Sequence, residues 1–146
     1  MVTGGYSGTP LAMKLGIKHG MTVVVVGFAG DYAALVAPVP EGGEIATLDT
    51  LPNDRVSALS VDLLHLFTNS RDELFRVLDE ARRVIKQDGM IWVSWYKKAA
   101  KLPTEINEDT IRDAALPMGL VDVKVCAVDE KWSGLKLVIR KELRAS

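Results

Sequence analysis

The sequence predicts an α/β fold, a three-layer αβα sandwich around a mostly parallel sheet with a C-terminal antiparallel strand pair. The run Thr22–Val26 is almost entirely β-branched and apolar, which is typical of a strand covered by helices on both faces. Strand-like and helix-like segments alternate along the chain, as in parallel sheets. The last two strand-like segments are joined by too few residues for a parallel crossover, so they must pair antiparallel.

The bulk composition limits the classes of protein and partner. At 146 residues the chain has the length of one domain, and we expect residues 1–146 to form a single unit. A formal net charge of −1 provides no long-range attraction for nucleic acid, so phosphate binding needs a local patch and we expect no nucleic-acid partner. The chain has one cysteine and no apolar run of about 20 residues, which favours a cytoplasmic protein without a membrane partner.

The first half of the chain contains three short elements after a glycine-rich lead. Thr9 followed by Pro10 predicts a helix cap with proline at the first helical position, and the helix is expected to end at Gly16 or Gly20. The elements that follow are the strand Thr22–Val26, a helix over Asp31–Val36 and a weaker strand over Glu44–Leu48.

The second half has stronger signals. Ser70 and Glu73 have the spacing of a capping box, and the apolar periodicity behind them predicts a helix that continues past Lys86 and leaves at Gly89. Asn107 predicts the start of a last helix that reaches about Leu116. The predicted strands are Val61–Phe67, Met90–Tyr96, Leu120–Val128 and Leu135–Arg140, with a loop over Asp129–Gly134.

Two segments in the middle of the chain carry a resemblance to a known class of enzyme. Val61–Phe67 and Leu78–Ser94 resemble the later half of class I S-adenosylmethionine-dependent methyltransferases, where a strand with an early aspartate precedes a helix, a glycine turn and the next strand. The resemblance implies a Rossmann-like sheet and makes S-adenosylmethionine the cofactor to consider. Because one fold hosts many functions, it does not by itself imply catalysis.

A second resemblance runs nearly from end to end. Gly5–Ala12, Lys14–Lys18, Ala114–Pro117 and Val121–Val138 are similar to a bacterial domain family of unknown function whose sequences open with GYSGTPLA. This family resemblance implies no activity.

The glycine-containing turn after the first strand is the first candidate binding site. Gly27, Phe28 and Gly30 lie where a Rossmann-like sheet holds its ligand, and glycines there allow close approach of the backbone. Methyltransferases usually have acid-x-Gly-x-Gly-x-Gly at this turn, whereas here Val25, Ala29 and Asp31 replace the acid and two of the glycines. The segment therefore has two interpretations, a cofactor loop and a plain strand-to-helix turn.

Two more polar residues follow predicted strands at the same edge. Asp49 ends the second strand, where the methyltransferase resemblance implies an acidic residue that accepts hydrogen bonds from ribose hydroxyls; a simple turn aspartate is the alternative. Thr68 follows the third strand, where a cofactor-facing hydroxyl and a helix-initiating hydroxyl are both reasonable.

Aromatic and basic residues form the second candidate site. Trp95, Lys97 and Lys98 follow another strand end, and Trp132 lies in the last predicted loop. Rings beside cations suit a small anionic or nucleotide-like ligand or a protein partner, but a solvated strand end is the alternative.

The remaining reactive side chains do not form a catalytic or metal-binding pattern. His65 lies inside an apolar strand, which predicts a buried, hydrogen-bonded histidine, and Cys126 lacks an evident base. With one cysteine and two distant histidines, we expect no metal site. Because the glycine turn departs from the methyltransferase pattern, the sequence favours a non-catalytic ligand- or protein-binding module on this scaffold; the alternative is a methyltransferase of unknown substrate.

Overall fold

The protein forms one six-stranded sheet with helices on both faces. The structure, a computed structural model, describes residues 10–51 and 54–144; Thr9 and the first residues of the GYSGTPLA segment lie outside the described residues. The helices are α1 (Leu11–Leu15), α2 (Tyr32–Val36), α3 (Arg71–Val84) and α4 (Glu108–Ala115). The strands are β1 (Thr22–Val26), β2 (Glu44–Leu48), β3 (Val61–Phe67), β4 (Ile85–Tyr96), β5 (Leu120–Ala127) and β6 (Trp132–Ile139).

The strand order is β2-β1-β3-β4-β6-β5, which confirms the predicted fold class. Strands β1 to β4 run parallel, and β6 pairs antiparallel with both β4 and β5. The chain leaves β1 in one direction to form β2 and then returns to the other side of β1 to form β3. This reversal at β1 makes the carboxyl ends of β1 and β3 a topological switch point, which is where open α/β sheets bind ligands.

The two faces of the sheet carry separate apolar layers. On the first face, α3 and α4 cover Leu64, Leu66 and Val93 with the buried side chains of Leu74, Leu78 and Ile111. On the second face, the short helices α1 and α2 cover the sheet with Leu15, Tyr32 and Val36. The side chain of Trp92 is fully buried on this second face, and its indole nitrogen donates to the carbonyl oxygen of Leu15 at 2.8 Å.

The junction between α3 and β4 differs from the prediction. We expected the helix to continue past Lys86 and the strand to begin at Met90, but α3 ends at Val84 and β4 begins at Ile85. Ile85 pairs with Val61 and Met90 with Leu63, so the residues between them bulge opposite Asp62. The Asp62 carboxylate accepts from Thr22 N at 2.8 Å and pairs with Lys86 Nζ at 3.0 Å, so it links the bulge to the start of β1.

The start of the last strand also differs from the prediction. We placed Trp132 in a loop over Asp129–Gly134, but β6 begins at Trp132. One oxygen of the Asp129 carboxylate accepts from the backbone amides of both Lys131 and Trp132 at 2.8 Å. This local hydrogen bonding closes the β5–β6 turn early, because an aspartate side chain can substitute for backbone carbonyls in a tight turn.

Two helix starts are only partly as predicted. Pro10 takes the cap position of α1 itself instead of the first helical position. At α3 the Ser70 hydroxyl accepts from Glu73 N, as expected, but the Glu73 carboxylate accepts from the Thr68 hydroxyl and does not return to Ser70 N. At α4 the predicted cap Asn107 is confirmed, and Thr110 completes a capping box that the sequence pattern did not reveal.

Candidate functional site

The carboxyl ends of β1 to β4 place the first set of predicted residues along one edge of the sheet. Val26 pairs with both Leu48 and Leu66, and Phe67 pairs with Ser94, so Gly27, Asp49 and Thr68 follow the ends of adjacent strands. With about 4.8 Å between neighbouring strands, the ends of β2 and β4 are roughly 14 Å apart. The edge brings Gly27, Asp49 and Thr68 close together, and Lys97 lies further along it.

Gly27 packs tightly against the neighbouring strand. Its φ is +84°, its amide donates to Leu48 O at 3.0 Å, and a Cβ at this position would lie 2.5 Å from Phe67 O. Both the backbone conformation and the lack of space require glycine here. The glycine is therefore needed for the fold whether or not a ligand approaches.

The next residues turn inward and into the helix. The Phe28 ring packs on Phe67 with centroids 4.6 Å apart and contacts Tyr32 edge-on. A Cβ on Gly30 would lie 3.0 Å from the Phe28 ring. Asp31 is the N-cap of α2, and its carboxylate accepts from Ala34 N at 3.1 Å. Since the protein's own carboxylate lies at this helix start, an incoming anion would be repelled there.

Asp49 and Thr68 differ in how available their side chains are. Asp49 is exposed immediately after β2. The buried Thr68 donates its hydroxyl proton to the Glu73 carboxylate and accepts from Ser70 N, while its backbone amide donates to Ser94 O. Its hydroxyl is thus used to start α3, and of these two residues only Asp49 presents a side chain to solvent.

A cleft of about 920 Å³ lies beyond the end of β4. We call it the β4–α4 cleft; it contains three of the four residues predicted for the second site, Trp95, Lys97 and Lys98. Trp95 is 7% exposed and forms the floor, while Lys98 is exposed at the entrance. The other lining residues are Tyr96, Leu102, Pro103, Thr104, Ile106, Asn107, Glu108, Asp109, Arg112 and Ser133.

The opposite wall of the cleft carries an ion network on α4. The Arg112 guanidinium contacts Glu108 and Asp109 on its own helix at 3.0 and 3.1 Å, and Asp122 on β5 at 3.0 Å. The hydrogen bond to Asp122 and those to the other carboxylates raise the pKa of Arg112. Of this network, Arg112, Glu108 and Asp109 line the cleft, which leaves this wall with one net negative charge, whereas Lys97 and Lys98 make the β4 wall positive.

Asn69 holds the segment between the two walls. Its side-chain oxygen accepts from Tyr96 N at 2.8 Å, and its backbone oxygen accepts from Glu105 N at 2.9 Å. The Glu105 carboxylate in turn accepts from Arg71 N at 2.8 Å. The sequence suggested no such role for Asn69, because its partners lie 27 and 36 positions further along the chain.

Trp132, the fourth residue predicted for the second site, lies on the other face of the sheet. It packs with Phe67 and Tyr96 on the face of α1 and α2, with ring centroids 5.1 and 4.6 Å away, whereas Trp95 belongs to the layer of α3 and α4. Since side chains alternate across a strand, Trp95 and Trp132 cannot hold one ligand between them.

A buried polar chain crosses the second face below the switch point. The Tyr32 hydroxyl lies 2.8 Å from His65 Nδ1, and His65 Nε2 lies 2.7 Å from Ser94 Oγ. Burial lowers the pKa of His65 to about 3, and burial together with the nearby Cys126 raises the pKa of Tyr32. All three side chains are at most 1% exposed, so no substrate reaches them. The sequence predicted the buried histidine but not its two partners.

The described part of the chain contains neither a metal-binding cluster nor a membrane-spanning helix. Among residues 10–51 and 54–144, no three His, Cys, Asp or Glu side chains are grouped as metal ligands. None of the helices in these ranges is both long and apolar enough to cross a bilayer.

Solved structures place the fold among Rossmann-like methyltransferases. The chain is 17% identical to a SAM dependent methyltransferase from Aquifex aeolicus, with a TM-score of 0.70 and 88% of each chain covered. It is also 17% identical to a Sulfolobus solfataricus protein assigned to the type 11 methyltransferases, with a TM-score of 0.66 and 93% of each chain covered. Aeropyrum pernix fibrillarin with natively bound S-adenosyl-L-methionine matches at 17% identity and a TM-score of 0.56, over 88% of this chain and 73% of fibrillarin.

These matches identify a methyltransferase-like Rossmann scaffold, and at such low identity they show the fold alone. The chain belongs to the family described as "Protein of unknown function (DUF3052)", whose model matches residues 12–141. The resemblance to a family of unknown function is thereby confirmed. No curated protein sequence matches the chain.

Proposed function

We propose that this domain is a non-catalytic binding module on a methyltransferase-like scaffold, and that its ligand lies in the β4–α4 cleft. The observation that carries the proposal is that the polar groups next to the glycine turn serve the fold itself. The carboxylate of Asp31 caps α2, and the hydroxyl of Thr68 binds Glu73. The β4–α4 cleft instead presents Lys97 and Lys98 beside an apolar floor.

The chemistry of the cleft suits a small anionic or nucleotide-like ligand, or an acidic segment of a protein partner. Two lysines can pair with phosphate or carboxylate oxygens, while Trp95 and Leu102 offer apolar contact. The negative α4 wall favours a ligand whose charge is concentrated at one end, because an anion that fills the cleft would meet Glu108 and Asp109.

The cleft is tested by calorimetric titration with ATP as the anionic probe. We expect the double substitution Lys97→Gln with Lys98→Gln to weaken binding by about tenfold, because two charge-assisted contacts are lost. Lys101→Gln with Lys141→Gln removes the same charge from exposed positions outside the cleft lining and serves as the control. Equal binding by wild type and both double variants contradicts the assignment of the cleft.

A methyltransferase is the second candidate function, and one observation favours it. Gly27 beside the switch point and Asp49 at the end of the neighbouring β2 are both exposed, and a nucleoside cofactor there would meet the backbone and a ribose-binding carboxylate. Under the leading proposal, titration with S-adenosylmethionine gives no heat. If the cofactor binds and Asp49→Asn removes that binding, while Asp88→Asn at the opposite end of the sheet preserves it, the methyltransferase function replaces our proposal.

A further inference from the structure

A second candidate surface lies on the opposite face of the sheet, beside α1. Lys124 on β5 and Lys136 on β6 are direct cross-strand partners, and Lys136 lies on the face that carries α1 and α2. Lys18, just after α1, is near enough to Lys136 to lower the pKa of that ammonium group. We call Lys18, Lys124 and Lys136 the lysine face.

The lysine face has an arrangement that costs stability unless an anion is bound. Like charges directly opposite each other on neighbouring strands repel. Among residues 10–51 and 54–144, none of these three ammonium groups pairs with a carboxylate, although Lys86 and Arg112 do. Partial burial, and then Lys124 and Lys18, lower the pKa of Lys136. Three ammonium groups are therefore gathered on one side of the sheet without an ion pair to any carboxylate in the described part of the chain.

The same face also carries the aromatic side chain of Trp132. Trp132 and Lys136 are four positions apart on β6, so their side chains lie on one face of the strand, separated by roughly 13 Å. Trp132 is half-buried against Tyr96 at the carboxyl edge, and half-buried Cys126 lies between the two ends beside Gly134. Lysines that contact a phosphate backbone, together with an aromatic ring that stacks on a base, are the features used to bind single-stranded nucleic acid.

We propose that the lysine face binds single-stranded nucleic acid, with phosphates on Lys18, Lys124 and Lys136 and a base against Trp132. The near-neutral net charge of the chain does not exclude nucleic-acid binding, because the fold can still gather a local basic patch. Lys18 and the two strand lysines are distant in sequence and come together only in the fold.

The test is fluorescence anisotropy of the full chain with a labelled oligouridylate of about twelve nucleotides. If three phosphates are neutralised, the logarithm of the binding constant falls against the logarithm of salt concentration with a slope of about −2. The double substitution Lys124→Gln with Lys136→Gln is expected to reduce the slope to about −0.7. Its thermal unfolding should be unchanged or shifted upward, since a repulsive pair is removed.

The control variant is again Lys101→Gln with Lys141→Gln, which changes the net charge equally and should retain the wild-type slope. Trp132→Leu should weaken binding by about tenfold at constant slope, because stacking is lost but no phosphate contact is. Equal slopes for the lysine-face variant and the control overturn the proposal. The proposal is also overturned if the protein binds vesicles with anionic lipids but not the oligonucleotide. The lysine face would then be a membrane-contact surface.

Discussion

Replacing Gly27 by alanine is expected to lower the free energy of unfolding by about 3 kcal/mol in the absence of any ligand. Two costs contribute to this loss. The residue keeps a φ of +84°, which a side chain disfavours, and the new Cβ would lie 2.5 Å from Phe67 O. The carbonyl cannot retreat easily, because β3 is held between β1 and β4. Urea unfolding monitored by circular dichroism measures the change.

Gly20 provides a matched control for Gly27. Its φ is +77°, but a Cβ there has no neighbouring atom within 4 Å among the described residues. Gly20→Ala should therefore cost only the conformational strain, about 1 kcal/mol. The difference between the two variants isolates the contact with β3. Equal losses would show that Gly27 tolerates a side chain, and the glycine would then be better explained by close approach of a ligand than by packing.

The sequence could predict the strands because their signals are local. Thr22–Val26 and Val61–Phe67 have the predicted bounds, since each is a continuous apolar run between turns. The junction at Ile85 could not be predicted in the same way. The residues from Ile85 to Gly89 continue a helical pattern, but Ile85 pairs with Val61 on β3 and Lys86 pairs with Asp62, so the chain is extended there. A tertiary contact overrides local propensity there.

Of the candidate site, the sequence could predict only which residues follow the ends of strands. Gly27, Asp49 and Thr68 lie on one edge because parallel strands end together, which the sequence pattern already implies. The sequence could not show that Trp95 and Trp132 lie on opposite faces of the sheet. That depends on which helical layer each side chain of β4 and β6 packs against. The grouping of Lys124 and Lys136 likewise depends on the register of two strands, whereas the Thr68 hydroxyl bonds Glu73 only five positions further along the chain.

The buried chain from Tyr32 through His65 to Ser94 is predicted to make stability depend on pH. His65 remains neutral in the folded protein because burial lowers its pKa to about 3, whereas the unfolded chain takes up the proton near pH 6.5. Between these two values the unfolded state binds more protons, so folding stability is fully present above pH 6.5 and is lost as the pH falls toward 3. From pH 6 to pH 4 the loss from this one group is about 2.5 kcal/mol.

His65→Gln separates this contribution from the titration of the carboxylates. Glutamine does not titrate, and its amide can donate and accept, so the hydroxyls of Tyr32 and Ser94 keep a possible partner in the core. We expect the variant to be less stable than wild type at pH 7 but to lose less stability on acidification, by the same 2.5 kcal/mol or so. His19→Gln, at an exposed histidine, should follow the wild-type curve. Parallel curves for wild type and His65→Gln would mean that His65 is protonated in the folded protein, and the hydrogen-bonded chain would then hold a charge that its burial should exclude.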